Sequence, residues 1–464
     1  MVAAPTNGEA SVNPSDTLAP PRTRDSLRVG ALTRAEIAEF SKRAGEPEFL
    51  ARRRAEAWAY CEKTPFPART EELWRRTDIS SLQWDRVLAT RDPNPVVTSA
   101  NELPGTLRAE IGPKGERSAL LVQLDSNAVL IDRDEELGKL GVLILPILEA
   151  ARAHPALLER FLGRTVRFDE SRFTGLSAAL EGGGAFVYVP DGVKVPRPIH
   201  LLFSRQTPDL GTFPHVVLAL GGRADAAIIE EYVSHGEPGV GVNVGATEVT
   251  VGEGASLHLA TFQRWGENIY HFGTERVRIA RDARFHWTYT ALGGKLTKLD
   301  LEMHLDGEGT EAKFSGCYFG NGTQHFDFHT FQNHNVGHSV SDLLFKGALR
   351  DRARMVYQGL IKVHKDAQRS DAYQANRNLL LSERARADSI PSLEIEANDV
   401  RCTHGATVGQ VDDDQLYYLM SRGLPRPEAE RMIIQGFFEP VLERIPAESL
   451  RATVTAAVER KAAA

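Results

Sequence analysis

The sequence predicts a mainly β protein, a parallel β-solenoid core flanked by N-terminal and C-terminal helical domains. From about Phe168 onward, glycine and short β-branched runs dominate, separated by one to a few turn residues. Small residues recur at a degenerate spacing, since Ala255 and Ala283 are 28 residues apart and Ala353 and Ala367 are 14 apart. Such spacing is typical of the stacked rungs of a solenoid. Because the repeat is weak, a jelly roll is the alternative β fold.

Composition and charge limit the classes of function. A chain of 464 residues is long enough for about two or three domains. Its 55 Lys and Arg against 62 Asp and Glu give a net charge of −7, whereas a nucleic-acid binder shows a basic excess. The longest apolar run, near 141–148, is too short to cross a bilayer, and no signal-peptide core is apparent. The cysteines, Cys61, Cys317 and Cys402, lack paired spacing, so we expect a reducing, cytoplasmic location.

The chain divides into four expected regions. Residues 1–30 are rich in Pro, Ala, Ser and Thr and are predicted to be disordered. Residues 31–165 form a mostly helical domain, residues 166–411 the β-helix core and residues 412–464 a C-terminal helical domain.

Local signals support the two helical regions. Thr33 and Glu36 have the form of a capping box, and Pro47 suits the first turn of a second helix that carries Cys61 as a packing residue. Ala119–Leu124 and Ala128–Ile131 flank a turn and predict a hairpin. A helix is expected over 147–162, interrupted by Pro155, and the pair Glu439-Pro440 is expected to break a helix of the tail.

The C-terminal tail carries a strong apolar stripe. Its members are Ile433, Ile434, Phe437 and Phe438. Core packing is the first interpretation. A tail of only about fifty residues has little mass to bury such a stripe, so a partner groove is the second interpretation.

The stretch Ser389–Leu424 joins the β region to the tail and contains the candidate site. Leu393 and Ile395 alternate with polar residues at strand period. If a strand resumes near Val400, Cys402 and His404 project from one face, with their side chains roughly 7 Å apart. A thiolate and an imidazole on one face could share a metal or pass a proton through one water. The alternative is a small core cysteine beside a satisfied histidine.

A second histidine cluster lies in the segment HFDFHTFQNHNVGH. On a strand, His325, Asp327 and His329 share one face and could form a site of two histidines and one carboxylate for a metal. The favoured alternative is that the interleaved aromatics fill the solenoid core while the polar residues face out. These aromatics are Phe326, Phe328 and Phe331.

Four blocks near the C-terminus carry a specific resemblance. They read NRNLLL, PSLEI, VRCTHGATVGQ and LYYLMSRG, all within Tyr373–Leu424. This segment closely resembles the SufD branch of the SufB/SufD family, the scaffold components of the SUF iron–sulfur cluster assembly machine. The likeness reaches back more loosely to about Phe168 and is weak in the N-terminal helices. It implies a right-handed parallel β-helix flanked by helical domains.

The chain departs from the SufB branch at two positions. SufB-like chains place a functional cysteine where Asn376 stands, and a carboxylate follows the histidine where Gly405 stands. SufD-like chains carry Cys-x-His-Gly-Ala-Thr, as residues 402–407 do. The resemblance implies that His404 is essential for cluster assembly and that Cys402 lies nearby at the SufB–SufD interface.

The resemblance also implies partners. It predicts a non-enzymatic scaffold that pairs with a SufB-like homologue through the β-helix and binds the SufC ATPase through its C-terminal helices. The stripe Ile433, Ile434, Phe437 and Phe438 is the expected SufC-binding surface. A possible homodimer of the isolated chain stays open.

The expected cofactor is a transient iron–sulfur cluster shared with the SufB-like partner. Such a cluster usually takes about four soft ligands, and the one thiol of Cys402 cannot hold it alone. We therefore expect no cluster on the isolated chain, with Cys402 and His404 as the metal-ligating candidates. A flavin could also bind the assembled complex. The alternative function is a β-helix enzyme, acting on polysaccharide or through a metal at His325, Asp327 and His329.

Overall fold

Strands alternate between two long sheets that wind together as a β-solenoid of about eight turns, with helices at the N- and C-termini of the chain. The computed structural model describes residues 27–89, 93–236, 238–445 and 448–463. Most of the segment predicted to be disordered, residues 1–26, lies outside the described residues. Within the solenoid the strand pairs are parallel, so the predicted fold class is confirmed and the jelly roll is wrong.

The strands of the first sheet are, in chain order, β1 Ala119–Leu124, β2 Asn127–Arg133, β5 Ile199–Arg205, β8 Asp225–Ser234, β10 Ser256–Arg264, β12 Arg284–Ala291, β14 Glu311–Gly320, β16 Val340–Leu349, β18 Asp371–Leu380 and β20 Arg401–Gln410. Those of the second sheet are β3 Leu143–Pro146, β4 Gly184–Val189, β6 Gly211–Thr212, β7 His215–Leu220, β9 Gly241–Val251, β11 Ile269–Ile279, β13 Leu296–Leu305, β15 His325–His334, β17 Arg354–Val363 and β19 Arg386–Ile395.

The α-helices are α1 Arg34–Ala44, α2 Glu48–Lys63, α3 Gly105–Glu110, α4 Glu135–Lys139, α5 Ile147–Ala153, α6 Pro155–Leu158, α7 Arg172–Ala179, α8 Asp413–Ser421, α9 Arg426–Leu442 and α10 Glu448–Ala463. Short 3-10 turns occur at Val29–Ala31, Glu72–Trp74, Trp84–Arg86, Ala100–Glu102 and Lys114–Glu116.

The coil length explains the spacing in the sequence. Ser256 of β10 pairs in register with Arg284 of β12, 28 residues further on. Ala255 and Ala283 precede these two residues and therefore stand one coil apart. Each coil contributes one strand to each sheet. The later coils vary in length, from 27 residues between Arg284 and Glu311 to 31 between Val340 and Asp371, so spacings near 14 and 28 correspond to about half a coil and one coil.

Apolar side chains at alternate strand positions fill the space between the two sheets. Trp287 of β12 stacks on Phe314 of β14, with ring centroids 4.4 Å apart. Phe326 and Phe328 of β15 are fully buried in the same core. Burying one such ring contributes about 1.5–3 kcal/mol, so this column of aromatics is a principal source of the stability of the fold.

The two ends of the solenoid differ. At the N-terminal end, β2 pairs antiparallel with β1, and β3 pairs antiparallel with β4. The predicted hairpin is therefore correct, and it extends the sheets back to Ala119, before the expected boundary at 166. At the C-terminal end, β20 and β19 are the outermost strands of their sheets, and each has one neighbouring strand.

The N-terminal helices pack on the outer face of the second sheet. Thr33 and Glu36 form the predicted capping box of α1, and α2 follows Pro47, which is its N-cap residue. Cys61 is fully buried among apolar residues, as expected for a packing residue. The break at Pro155 falls between α5 and α6.

The tail packs on the outer face of the first sheet. Phe438 of α9 lies 6.2 Å from Phe319 of β14, measured between ring centroids. Lys461 near the end of α10 donates hydrogen bonds to the carbonyl of Phe319 and to the side chain of Asn321 at 2.8 and 2.6 Å. The expected break at Pro440 is wrong, because α9 continues to Leu442 with the proline in its last turn.

Candidate functional site

Cys402 and His404 lie on β20, the last strand of the first sheet. Cys402 pairs in register with Ala372 of β18, and His404 pairs with Gln374. Ala372 and Gln374 are buried between the two sheets. In-register neighbours in a parallel sheet point to the same side, so Cys402 and His404 both face the solenoid interior. The strand predicted from the sequence and the shared face of the two residues are confirmed.

The last coil leaves this interior face uncovered, because no coil stacks above it. Leu393 and Ile395 of β19 and Val408 of β20 occupy interior-facing positions, yet they are 36%, 41% and 45% exposed. Together with Cys402 and His404 they form what we call the open mouth. An exposed apolar rim around two possible iron ligands is typical of a surface that another chain covers.

The thiol of Cys402 is half-buried. Its side chain packs on the interior apolar residues of the preceding coil, including Ile361 and Val363. Burial raises the pKa of this thiol, and the carboxylate of Asp371 raises it further. The thiol is therefore protonated at neutral pH in the isolated chain, and an iron atom that binds it must displace the proton.

His404 is exposed at the centre of the open mouth. Below it, one coil further in, lies the fully buried side chain of Gln374. No group of three or more potential metal-ligating side chains occurs within the described part of the chain. The mouth thus offers one thiol and one imidazole, an incomplete ligand set for an iron–sulfur cluster.

His325, Asp327 and His329 share the outer face of β15, as predicted. The carboxylate of Asp327 accepts hydrogen bonds from Lys298 Nζ, at 2.7 Å, and from the hydroxyl of Thr77. Burial opposes ionisation of Asp327, but Lys298 and His329 outweigh it and hold its pKa well below the usual range. The cluster therefore joins the N-terminal segment to the second sheet.

The aromatic residues of the same strand divide between two environments. Phe326 and Phe328 fill the core, as the favoured interpretation has it. Phe331 does not: it is half-buried on the outer face with its ring against His304, at 6.2 Å between centroids. Phe331 is two residues from His329 on the strand, so its side chain lies on the same outer face as the histidines.

The apolar stripe of the tail is only partly accessible. Ile434 and Phe438 are fully buried against the first sheet, as the core-packing interpretation has it, so these two residues are not accessible as part of the expected SufC-binding surface. These two side chains pack against the outer face of the solenoid, which buries the apolar surface that the short tail alone could not bury. Ile433 and Phe437 are half-buried.

A different apolar surface is open between α8 and α9. A shallow groove of about 510 Å³ is lined by Asp414, Gln415, Tyr418, Leu419, Met432 and Ile433. Beside it, Tyr417 is 75% exposed, and Met432 is 50% exposed. We call this surface the tail groove. Of the four residues of the predicted stripe, only Ile433 lines it.

Sequence reasoning missed Gln374, Tyr418 and Met432. Gln374 precedes His404 by a whole coil, so only the strand register brings the two together. Tyr418 lies in α8, whose N-cap residue is Asp412, but its exposure depends on how α8 meets α9.

Fold and site together define a β-solenoid protein that carries a thiol and an imidazole, two potential metal ligands, at an uncovered end. Residues 203–437 match the family model for the SufBD core domain of the SUF system of FeS cluster assembly, and residues 119–201 match the SufBD protein N-terminal region. The chain belongs to the SufBD family of iron–sulfur cluster assembly proteins.

Curated relatives match over nearly the whole chain. The iron–sulfur cluster assembly protein SufD of Bacillus subtilis is 32% identical over 92% of this chain and 97% of its own length. A SufBD family protein of Staphylococcus saprophyticus is 26% identical over 90% of each chain. A SufBD family protein of Pyrococcus horikoshii is 26% identical over 89% of this chain and 93% of its own. Among the described residues, no helix has both the length and the apolar character needed to span a membrane.

Proposed function

We propose that this chain is a SufD-like scaffold subunit of a cytoplasmic SUF complex, and that it is not itself an enzyme. It pairs with a SufB-like homologue and binds a SufC-type ATPase while a nascent cluster is built and passed on. The observation that carries this proposal is the position of Cys402 and His404 in the open mouth, where the coil stack ends.

The end of the solenoid suits a partner with the same fold. β19 and β20 each present a ten-residue edge with unpaired backbone groups on one side. Such edges are templates for strand addition, and proteins rarely leave them uncovered. A homologous solenoid supplies matching edges, and its covering coil buries Leu393, Ile395 and Val408. A second copy of this chain offers the same edges, which accounts for a possible homodimer in isolation.

A partner with the same fold would also complete the set of cluster ligands. The cluster is the cargo of the complex, held transiently between Cys402, His404 and ligands from the SufB-like partner. Cluster iron favours soft thiolate ligands, and this chain offers one thiol at the mouth. A flavin bound to the assembled complex is compatible with this arrangement.

The tail groove is the proposed ATPase dock. Its walls are apolar, with Met432 and Tyr418 exposed, and flexible methionine and aromatic side chains suit a helix-in-groove contact. Asp414 at the rim gives the groove an acidic edge. Ile434 and Phe438 support this surface from beneath, because they fix α9 on the sheet.

The test is cluster loading by His404→Ala within the complex of the three chains. The control is Thr403→Ala, since Thr403 neighbours His404 on the same strand but faces outward and pairs with the exposed Tyr373. We expect both variants to assemble, and only His404→Ala to lack the absorbance of bound cluster after anaerobic purification. Normal loading by His404→Ala would remove the functional claim.

A further inference from the structure

The side chain of Gln374 spans the solenoid interior directly below the open mouth. It is fully buried and extends from β18 toward Gly359 of β17. A Cβ atom added at Gly359 would lie 2.0 Å from Nε2 of Gln374, so only glycine leaves room for this amide. The amide group therefore lies in the solenoid interior, one coil below the register position of His404.

The amide of Gln374 lacks hydrogen-bond partners. Among the described residues, neither its Oε1 nor its Nε2 has one, although both atoms are buried. Its interior neighbours on the same strand differ. Asn376 donates to the hydroxyl of Tyr318 at 3.2 Å, and Asn378 donates to Asn376 at 2.7 Å. An unsatisfied buried amide is costly, so an amide with both polar atoms unpartnered one coil below the open mouth is a candidate for a partner that arrives later.

His404 is the group placed to become that partner. It stands in register with Gln374 on the next coil, and neighbouring strands are about 4.8 Å apart. A histidine that binds a metal through one ring nitrogen almost always donates the N–H of the other to an acceptor. The carbonyl oxygen of Gln374 is such an acceptor on the wall that His404 faces.

We infer that Gln374 is a positioning residue for His404. Its Oε1 accepts the N–H of one ring nitrogen and so fixes the tautomer whose other nitrogen is free to bind iron. In the single chain, His404 is exposed to water, which competes for this hydrogen bond. A partner that covers the open mouth excludes the water, and the bond forms as the complex assembles. The role of iron in this inference rests on the proposed function. The hydrogen bond between Gln374 and His404 does not depend on it.

The experiment compares Gln374→Leu, Gln374→Glu and the control Asn376→Leu. Leucine removes the acceptor, glutamate keeps an acceptor oxygen, and Asn376 is a buried amide of the same wall that pairs with Ala406 instead. Each variant is made with ¹⁵N-labelled histidine and assembled with unlabelled partner chains in the absence of iron. The ring-nitrogen chemical shifts of His404, identified by comparison with His404→Ala, report its tautomer at fixed pH.

We expect a single tautomer in the parent complex, in Gln374→Glu and in Asn376→Leu, and a mixture in Gln374→Leu. Cluster loading should fall by about 10–100-fold in Gln374→Leu, the usual cost of losing such a supporting hydrogen bond, and recover in Gln374→Glu. Identical His404 shifts in the parent and Gln374→Leu would overturn the inference. Normal loading by His404→Ala would instead refute the proposed function, and the tautomer measurement would still decide whether Gln374 holds the ring.

Discussion

Nε2 of His215 lies 2.8 Å from Oε1 of Glu248, and Nδ1 of the same ring lies 3.5 Å from Oε2 of Glu181. All three residues are buried between the second sheet and the N-terminal helices. Glu248 also accepts backbone hydrogen bonds from Thr165 and Val166, at 2.7 and 3.1 Å. The side chain of His215 thus joins the helical region to the solenoid through two carboxylates.

His215→Gln should lower the free energy of unfolding by about 3–5 kcal/mol, because it leaves the buried carboxylate of Glu248 without its cation. Glu181 keeps a second cation, since Arg53 lies 2.6 Å from it. Burial opposes protonation of His215, but its hydrogen bonds to Glu181 and Glu248 outweigh this and raise its pKa. The stability that it contributes is complete below the unfolded value near 6.5 and is lost as the pH rises through the folded value. Urea unfolding should therefore show the largest difference from the parent below pH 6.5 and a smaller one in alkali. A difference that grows with pH would contradict this account.

In acid, the free energy of unfolding changes with pH in the opposite direction. Burial raises the pKa of both carboxyls, but Arg53 and His215 outweigh it at Glu181 and lower its pKa to about 2. At Glu248, His215 and the backbone N–H groups of Thr165 and Gly163 outweigh it and likewise lower the pKa to about 2. The contribution of the two carboxylates is complete above pH 4.5, the unfolded value, and is lost as the pH falls toward 2. Replacing Glu248 with Gln should flatten this limb.

Glu230→Gln should stabilise the protein above neutral pH. Burial in the solenoid interior raises the pKa of Glu230 to about 7, although hydrogen bonds from Tyr232 and Thr247 act against it. The protonated form is therefore favoured in the fold, and stability declines as the pH rises from about 4.5 through 7. At pH 8 the glutamine variant should gain roughly 1–3 kcal/mol over the parent in urea unfolding, with no gain at pH 4. Equal stabilities at pH 8 would show that the carboxylate finds another partner.

Cys402 should be the one cysteine that a small alkylating reagent labels in the native chain. Cys61 and Cys317 are fully buried, and burial raises the pKa of both thiols to about 12. Cys402 is half-buried with a smaller rise, so its labelling should be slow at pH 7 and about tenfold faster per pH unit up to its pKa. Mass spectrometry of digested protein measures this directly. Addition of the SufB-like partner should protect Cys402, and unchanged labelling in the complex would place the thiol outside the interface.

Two substitutions in α9 should separate stability from docking. Ile434→Asp places a charge in the fully buried contact with the first sheet, so the tail should detach and the melting temperature should fall. Met432→Asp changes an exposed wall of the tail groove and should leave the melting temperature within about 2 °C, because surface changes cost little. Met432→Asp should nevertheless abolish co-purification of the ATPase. An ATPase retained by this variant would locate the dock elsewhere.

The purified single chain should contain no stoichiometric zinc, iron or manganese at the His325 cluster. Lys298 already neutralises Asp327 at 2.7 Å, and Gln358 occupies Nε2 of His329 at 3.0 Å. Elemental analysis measures the metal content. A tightly held metal that disappears on changing both His325 and His329 to Ala would overturn this prediction.

Much of the fold follows from local patterns. Alternation at period two identifies the strands. The spacing of Ala255 and Ala283 equals one coil, because both residues occupy the equivalent turn position before paired strands of successive coils. Cys402 and His404 share a face simply because they are two residues apart on a strand. The burial of Ile434 and Phe438 could not be predicted this way, since it depends on where α9 docks on the solenoid. The relation of Gln374 to His404 is equally invisible to local patterns, because it spans a coil of irregular length.

The open mouth has a kinetic consequence. Each coil owes its stability to the coils above and below it, so local opening costs least where one neighbour is missing. Amide hydrogen exchange should therefore be fastest in β20 and β19 and slow progressively toward β10. His404 and Cys402 sit on the part of the chain that frays first. A partner that binds the last coil would convert the most labile backbone of the solenoid into a protected one. Increased protection from amide exchange at residues 401–410 would therefore report binding of the partner before any iron is bound.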